Sequence, residues 1–102
     1  MLFRSASYVD YASAKGAIDV FTLGLAKEVA TEGIRVNAVR PGIIETEIHA
    51  SGGIPDRVKQ MAPLVPMQRA GSSEEVAEAI YWLMTESSSY TTGSVIDVTG
   101  GR

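Results

Sequence analysis

A chain of 102 residues, 45% hydrophobic and 21% charged, has the composition of one globular domain with a modest core, which excludes a fibrous or disordered chain. Nine Lys and Arg against 12 Asp and Glu leave a net charge of -3, so nothing favours nucleic acid or an anionic membrane as partner. The absence of cysteine and a single histidine, His49, exclude disulfides and thiolate metal sites and leave too few ligands for a zinc centre.

No apolar run approaches the roughly 20 residues that span a bilayer, and no charged-then-apolar leader pattern is present. A soluble, cytoplasmic chain is expected. The first long element is a helix over residues 9–31. Ile18, Phe21, Leu25 and Val29 fall on one stripe and Leu23, Ala26 and Ala30 on a second, leaving Asp19, Lys27 and Glu28 for water. A helix apolar on two sides is usually sandwiched between two partners. Gly33 suits the left-handed position past its end. The β-branched run from Ile34 to Val39 reads as a strand that Arg40-Pro41-Gly42 stops. Residues 43–71 read as an irregular connection with a short helix between Pro55 and Ala62, and a link this long is typical of a binding loop.

Ser72 and Glu75 make a capping-box pattern. Val76, Ala79, Ile80, Leu83 and Met84 then follow one face of a helix over residues 72–85, which Ser87-Ser88-Ser89 ends. A last strand over 94–98 is closed by Gly100-Gly101. The order helix, strand, long loop, helix, strand predicts an α/β fold in which 35–39 and 94–98 are parallel neighbours joined by a right-handed crossover. Two strands alone make a poor sheet, and the first helix lacks a strand to pack on. The chain therefore reads as a single partial domain over 1–102, the second half of a larger sheet.

Tyr11-Ala12-Ser13-Ala14-Lys15 places a phenol and an ammonium one helical turn apart on one face. A nearby positive charge favours tyrosinate and lowers a phenol pKa from about 10, which suits Tyr11 to proton transfer near neutral pH. Alone, such a pair is a weak signal, and a plain helical Tyr and Lys would look the same. The context is Ala17-Ile18, then Gly33-Ile34-Arg35-Val36-Asn37-Ala38-Val39-Arg40-Pro41-Gly42 and Thr46. Pro66-Met67-Gln68-Arg69, Thr92-Gly93 and Asp97-Val98-Thr99-Gly100-Gly101 follow. In this order and spacing, Tyr8 to Arg102 closely resembles the C-terminal half of a short-chain dehydrogenase/reductase, most like the bacterial sugar-dehydrogenase-like and 3-oxoacyl carrier-protein-reductase-like members.

The resemblance implies an incomplete Rossmann-like, doubly wound parallel sheet and a nicotinamide cofactor, NAD or NADP. It implies hydride transfer between that cofactor and a small alcohol or carbonyl substrate, in an intact relative that is a homo-oligomer. Tyr11 matches the catalytic tyrosine and Lys15 the lysine that tunes it and holds the nicotinamide ribose. Pro41 and Gly42 match the turn beside the nicotinamide, Ile44 the position whose backbone holds the carboxamide, and Thr46 a hydroxyl near the cofactor. Residues 47–67 match the variable substrate loop, Arg69 a structural ion-pairing arginine, and Asp97 with the glycine pair a subunit contact.

The Gly-rich turn that cradles pyrophosphate is not found; Gly52-Gly53 and Gly100-Gly101 lack its spacing and its strand-to-helix setting. The family's serine would fall before Met1, and Ser5 and Ser7 stand too close to Tyr11 to replace it. Without that turn and that serine, the chain alone is expected to be inactive; Leu2-Phe3-Arg4-Ser5 is the peptide encoded by a common sequencing adapter, so residues 1–5 are expected to be non-native. His49 reads as a solvated loop histidine, Glu45 and Glu47 as surface charges, and Tyr81-Trp82 as packing. The alternative is a non-catalytic module that pairs with a partner subunit through the two-sided first helix. The sequence does not choose the substrate or between NAD and NADP.

Overall fold

The computed structural model describes residues 6–46 and 55–102. The elements are α1 (Ala6–Val29), β1 (Ala38–Pro41), β2 (Ile44–Glu45), α2 (Pro55–Met61), β3 (Gly71–Ser72), α3 (Ser73–Met84) and β4 (Val95–Val98), with 3-10 turns at Ala30–Glu32, Ala62–Leu64 and Glu86–Ser88. β1 pairs with β4. Ala38 N–H donates to the Ser94 carbonyl and Gly42 N–H to the Val98 carbonyl, both at 2.9 Å. The two bonds step the same way along both strands, so the pair is parallel, as the crossover pattern predicts. The described residues fall into two compact units, one of residues up to Ala38 with Thr91–Val95, the other of Val39–Tyr90 with Ile96–Arg102.

In the first unit, α1 runs without a break into its 3-10 turn. Gly33 ends it in the left-handed conformation at φ 77°, with its N–H on the Ala30 carbonyl at 3.2 Å. The buried positions follow the two predicted stripes only in part, since Ala26 belongs to the second and Thr22 to neither. Thr22 and Ala26 are buried, at 5% and 2% exposure, while Ile18, Phe21 and Leu23 are exposed. At Ala26 the reason is the turn at Gly93. A Cβ there would meet Leu23 Cδ1 at 3.2 Å and Ala26 Cβ at 3.4 Å, so a small residue on α1 receives this backbone. The Thr22 hydroxyl is satisfied by donating to the Ile18 carbonyl at 2.8 Å. Asp19, expected in water with Lys27 and Glu28, is half-buried instead.

The strand expected from Ile34 begins only at Ala38 and includes Pro41. Before it, one backbone bond, from Gly93 N–H to the Val36 carbonyl at 2.7 Å, is joined by side-chain bonds. Asn37 Nδ2 donates to the Thr91 carbonyl at 3.0 Å and its Oδ1 accepts from Ser94 N–H at 3.0 Å, while Val36 N–H donates to Thr92 Oγ1 at 3.0 Å. The asparagine amide substitutes for two backbone groups, and the strand starts one residue later.

In the second unit, Val58 and Val65 are the buried apolar side chains among the described residues. The turn at Gly100-Gly101 folds over Val65, Pro66 and Met67: Met67 N–H reaches the Gly100 carbonyl at 3.1 Å, and a Cβ on Gly100 would lie 2.6 Å from Val65 Cγ1. The connection expected to be irregular over 43–71 holds a short parallel bridge, Ile44 opposite Gly71 and Glu45 opposite Ser72. The helix expected after Pro55 is present, with proline at its first position, where no donor is missed.

α3 opens with a complete capping box. Glu75 N–H donates to Ser72 Oγ at 3.2 Å, and Ser72 N–H donates to Glu75 Oε1 at 2.9 Å. Val76, Ala79 and Leu83 are half-buried, but Ile80 and Met84, expected on the same apolar face, are exposed, as are Tyr81 and Trp82. The buried stripe of α3 is thus narrower than its apolar stripe. Ser72→Ala removes the cap and is expected to lower stability by about 1 kcal/mol in urea denaturation; an unchanged midpoint would show that the cap contributes nothing. Ser88 ends this region buried, its Oγ within reach of the Trp82 and Thr85 carbonyls at 2.8 and 3.1 Å.

Candidate functional site

Tyr11 and Lys15 stand one turn apart in α1, which is continuous helix through both, so the backbone puts them on one face. Lys15 is half-buried. The Tyr11 side chain lies outside what the structure describes. Both residues belong to the first unit, whereas Pro41, Gly42, Ile44 and Thr46 belong to the second.

Pro41 ends β1 and is exposed. Gly42 continues the pairing with Val98 and lies so close to the backbone of Thr99 that a Cβ would meet Thr99 Cα at 2.9 Å. Ile44 opens β2, and Thr46, half-buried, follows directly after it. One bond that ties this segment to β3 runs from Gly71 N–H to the Ile43 carbonyl at 2.9 Å.

A cavity of ≈ 200 Å³ in the second unit is lined by residues that include Ile43, Met67, Arg69, Glu75 and Thr99, and by none of the residues expected to contact the cofactor. Its polar wall is an ion pair. Arg69 Nη1 and Nη2 reach Glu75 Oε1 and Oε2 at 2.8 and 2.9 Å, the bidentate geometry that suits guanidinium and carboxylate. This agrees with the ion-pairing role that the family resemblance implies for Arg69. The hydrogen bonds from Arg69 and then from the Ser72 backbone hold the Glu75 carboxyl well below its ordinary value of 4.5, at about 2.

The folded-state value is the depressed one. The contribution of Glu75 to stability is therefore fully present above pH 4.5 and is lost as pH falls towards about 2. Glu75→Gln is expected to narrow the stability gap between pH 5 and pH 2 relative to the parent chain. Thermal melts of both proteins across that range check it, and identical acid profiles would contradict it.

Sequence reasoning misses two pairings. Arg40 Nε lies 2.8 Å from Asp97 Oδ1, where family likeness suggests only a subunit contact for Asp97. The parallel register of β1 and β4 brings these two charges together, a signal readable only once the pairing is known. Asn37 is the other, an amide set among β-branched residues and opposite the Thr91–Ser94 turn. Glu45 is exposed, as expected. His49, Glu47, Gly52-Gly53 and residues 1–5 lie outside the described residues. Among the described residues there is no cluster of three His, Cys, Asp or Glu able to hold a metal, and no helix long and apolar enough to cross a membrane.

The chain is 61% identical over 95 residues to an uncharacterised oxidoreductase, YgfF, of Escherichia coli (strain K12), covering 93% of this chain and 38% of that protein. Among solved structures it resembles an NADPH-bound short-chain oxidoreductase from Pseudomonas aeruginosa PAO1 with an atypical catalytic centre, at 33% identity and a TM-score of 0.78, over 92% of this chain and 38% of that one. It also resembles an NAD-bound 3-oxoacyl-[acyl-carrier protein] reductase from Brucella melitensis, at 41% identity and a TM-score of 0.74, over 89% of this chain and 32% of that one. The chain thus spans less than two fifths of the length of each. These neighbours share its α/β arrangement, which is an incomplete Rossmann-like fold. Residues 3–102 match the family model described as enoyl-(acyl carrier protein) reductase, a match that begins inside the 1–5 stretch expected to be non-native. On a match of that extent, the chain belongs to the short-chain dehydrogenase/reductase family of oxidoreductases.

Proposed function

We propose that this chain forms the C-terminal part of an NAD(P)-dependent oxidoreductase that moves a hydride between the nicotinamide cofactor and a small alcohol or carbonyl. The observation that carries this reading is the Tyr11 and Lys15 pair, one turn apart on an unbroken helix, within a family match that covers residues 3–102. The cofactor, when bound, supplies or accepts the hydride. Tyr11 gives its phenolic proton to the substrate oxygen during reduction and takes it back during oxidation. Lys15 holds the ribose, and its ammonium stabilises the tyrosinate left behind. Pro41, Gly42, Ile44 and Thr46 form the nicotinamide end of the site. NADPH-bound and NAD-bound relatives support a nicotinamide cofactor of either kind.

The test is turnover by the full-length protein that carries this chain, followed through the absorbance of reduced nicotinamide with a panel of aldehydes, ketones and sugars. Carbonyl-dependent oxidation of NADH or NADPH supports the reading. A second reading, a non-catalytic module that pairs with a partner subunit, draws on the exposed Ile18, Val20 and Phe21 of α1. Self-association of the full-length protein without cofactor binding, monitored by the fluorescence of Trp82, would favour it.

A further inference from the structure

Gly42 and Gly71 differ from Gly33, Gly93, Gly100 and Gly101, because neither has a positive φ that would call for glycine. What each lacks is room. A Cβ on Gly42 would meet the Thr99 backbone at 2.9 Å, and a Cβ on Gly71 would meet Ile44 Cδ1 at 2.9 Å. Distances under about 3 Å are far inside carbon–carbon contact, so something must move if either glycine gains a side chain. At Gly42 the obstacle is main chain. At Gly71 it is the far end of one side chain, on the residue directly across the β2–β3 bridge.

We infer that Gly71 is a positioning residue for the nicotinamide end of the site: its missing side chain is the space that Ile44 fills, and this sets where the backbone of Ile44 and Thr46 lies. The inference rests on the cofactor role proposed above for that segment. Three further contacts make Gly71 a firm base. Its N–H holds the Ile43 carbonyl at 2.9 Å; its neighbour Ser72 caps α3; and Glu75, which completes that cap, is clamped by Arg69. The segment Gly42–Glu45 is therefore fixed at one end by close approach to Thr99 and at the other by close approach to Gly71. Gly71 touches no reacting atom. It acts through Ile44.

The experiment compares the full-length protein, its Gly71→Ala variant and the double variant Gly71→Ala/Ile44→Val for the dissociation constants of NADH and NADPH, with a thermal melt of each. Valine lacks the Cδ1 atom that a Cβ at position 71 would strike. Gly71→Ala is expected to weaken cofactor binding about tenfold, the scale of one overpacked contact, and the double variant to recover most of that loss. A purely structural role would lower the melting temperature and leave the affinity of the folded fraction unchanged. Affinity equal to the parent in folded Gly71→Ala, or no recovery in the double variant, would overturn the inference while leaving the proposed function intact. If Gly71→Ala does not fold, a double variant that folds and binds supports the contact, and one that does not fold refutes it. A parent protein that binds neither cofactor would overturn the proposed function and this inference with it.

Discussion

Tyr11→Phe in the full-length protein should lower kcat by about 10² to 10⁴ while leaving the melting temperature and the cofactor dissociation constant close to the parent values. The substitution deletes one oxygen and keeps the ring. The proton that a carbonyl oxygen must gain during reduction then has to come from water, without a positioned donor. Lys15, proposed to hold the ribose, remains one turn away on α1, so ground-state binding should be retained. The loss should appear in kcat and in kcat/KM alike, the pattern of an interaction made in the transition state. Turnover by the phenylalanine variant within a factor of about three of the parent, far short of the loss expected when acid–base catalysis is removed, would take Tyr11 out of this role.

The 102-residue chain by itself should bind neither NAD nor NADP tightly and should self-associate. Tight dinucleotide binding in this fold draws on backbone donors at a Gly-rich turn, which the sequence does not contain. Within the first unit, α1 exposes Ile18, Val20 and Phe21, the last two at 74% and 66%. Within the second, α3 exposes Ile80, Tyr81 and Met84, and Tyr90 is fully exposed. Apolar groups exposed in such density drive association. Sheets of only two strands among the described residues add to it. Size-exclusion chromatography with light scattering, beside calorimetric titration of both cofactors, measures both halves of the expectation. A monodisperse monomer with micromolar affinity would contradict it.

Much of the fold is legible in the sequence because its signals are local. The 3.6-residue period marks α1 and α3, the Ser72–Glu75 spacing marks the start of α3, and Gly33 marks the end of the first helical stretch. Two features are not. The β2–β3 bridge is two residues long on each side, too short to carry a pattern, and its partners lie far apart in the chain. β1 starts later than the β-branched run suggests because Asn37 takes over hydrogen bonds that such a run would make through its backbone. The buried faces of both long helices also depart from expectation. Apolar periodicity finds what could be buried, and contact with Gly93 decides that Ala26 is.

The candidate site is legible in a different way. The roles of Tyr11, Lys15, Pro41, Gly42, Ile44 and Thr46 come from family likeness, since a phenol and an ammonium at helical spacing are common and bland. Arg69 shows the strength of that route, because its implied ion pair is present with Glu75. Asp97 shows its weakness, because the contact with Arg40 depends on strand register that no motif encodes. No sequence signal singles out Gly71. Its importance lies in the absence of a Cβ opposite Ile44, which only coordinates reveal.

The central claim, that this chain supplies the proton-transferring pair of a nicotinamide-dependent oxidoreductase, is tested most directly by single-turnover transfer from cofactor deuterated at the reactive carbon. The full-length protein and its Tyr11→Phe variant would be mixed with the deuterated reduced cofactor and a carbonyl substrate identified in the turnover panel, and the alcohol product analysed by mass. The account predicts deuterium on the carbinol carbon with the parent protein, and a rate lower by about 10² or more with Tyr11→Phe at equal cofactor occupancy. Product without deuterium, or equal rates from the two proteins, would contradict it.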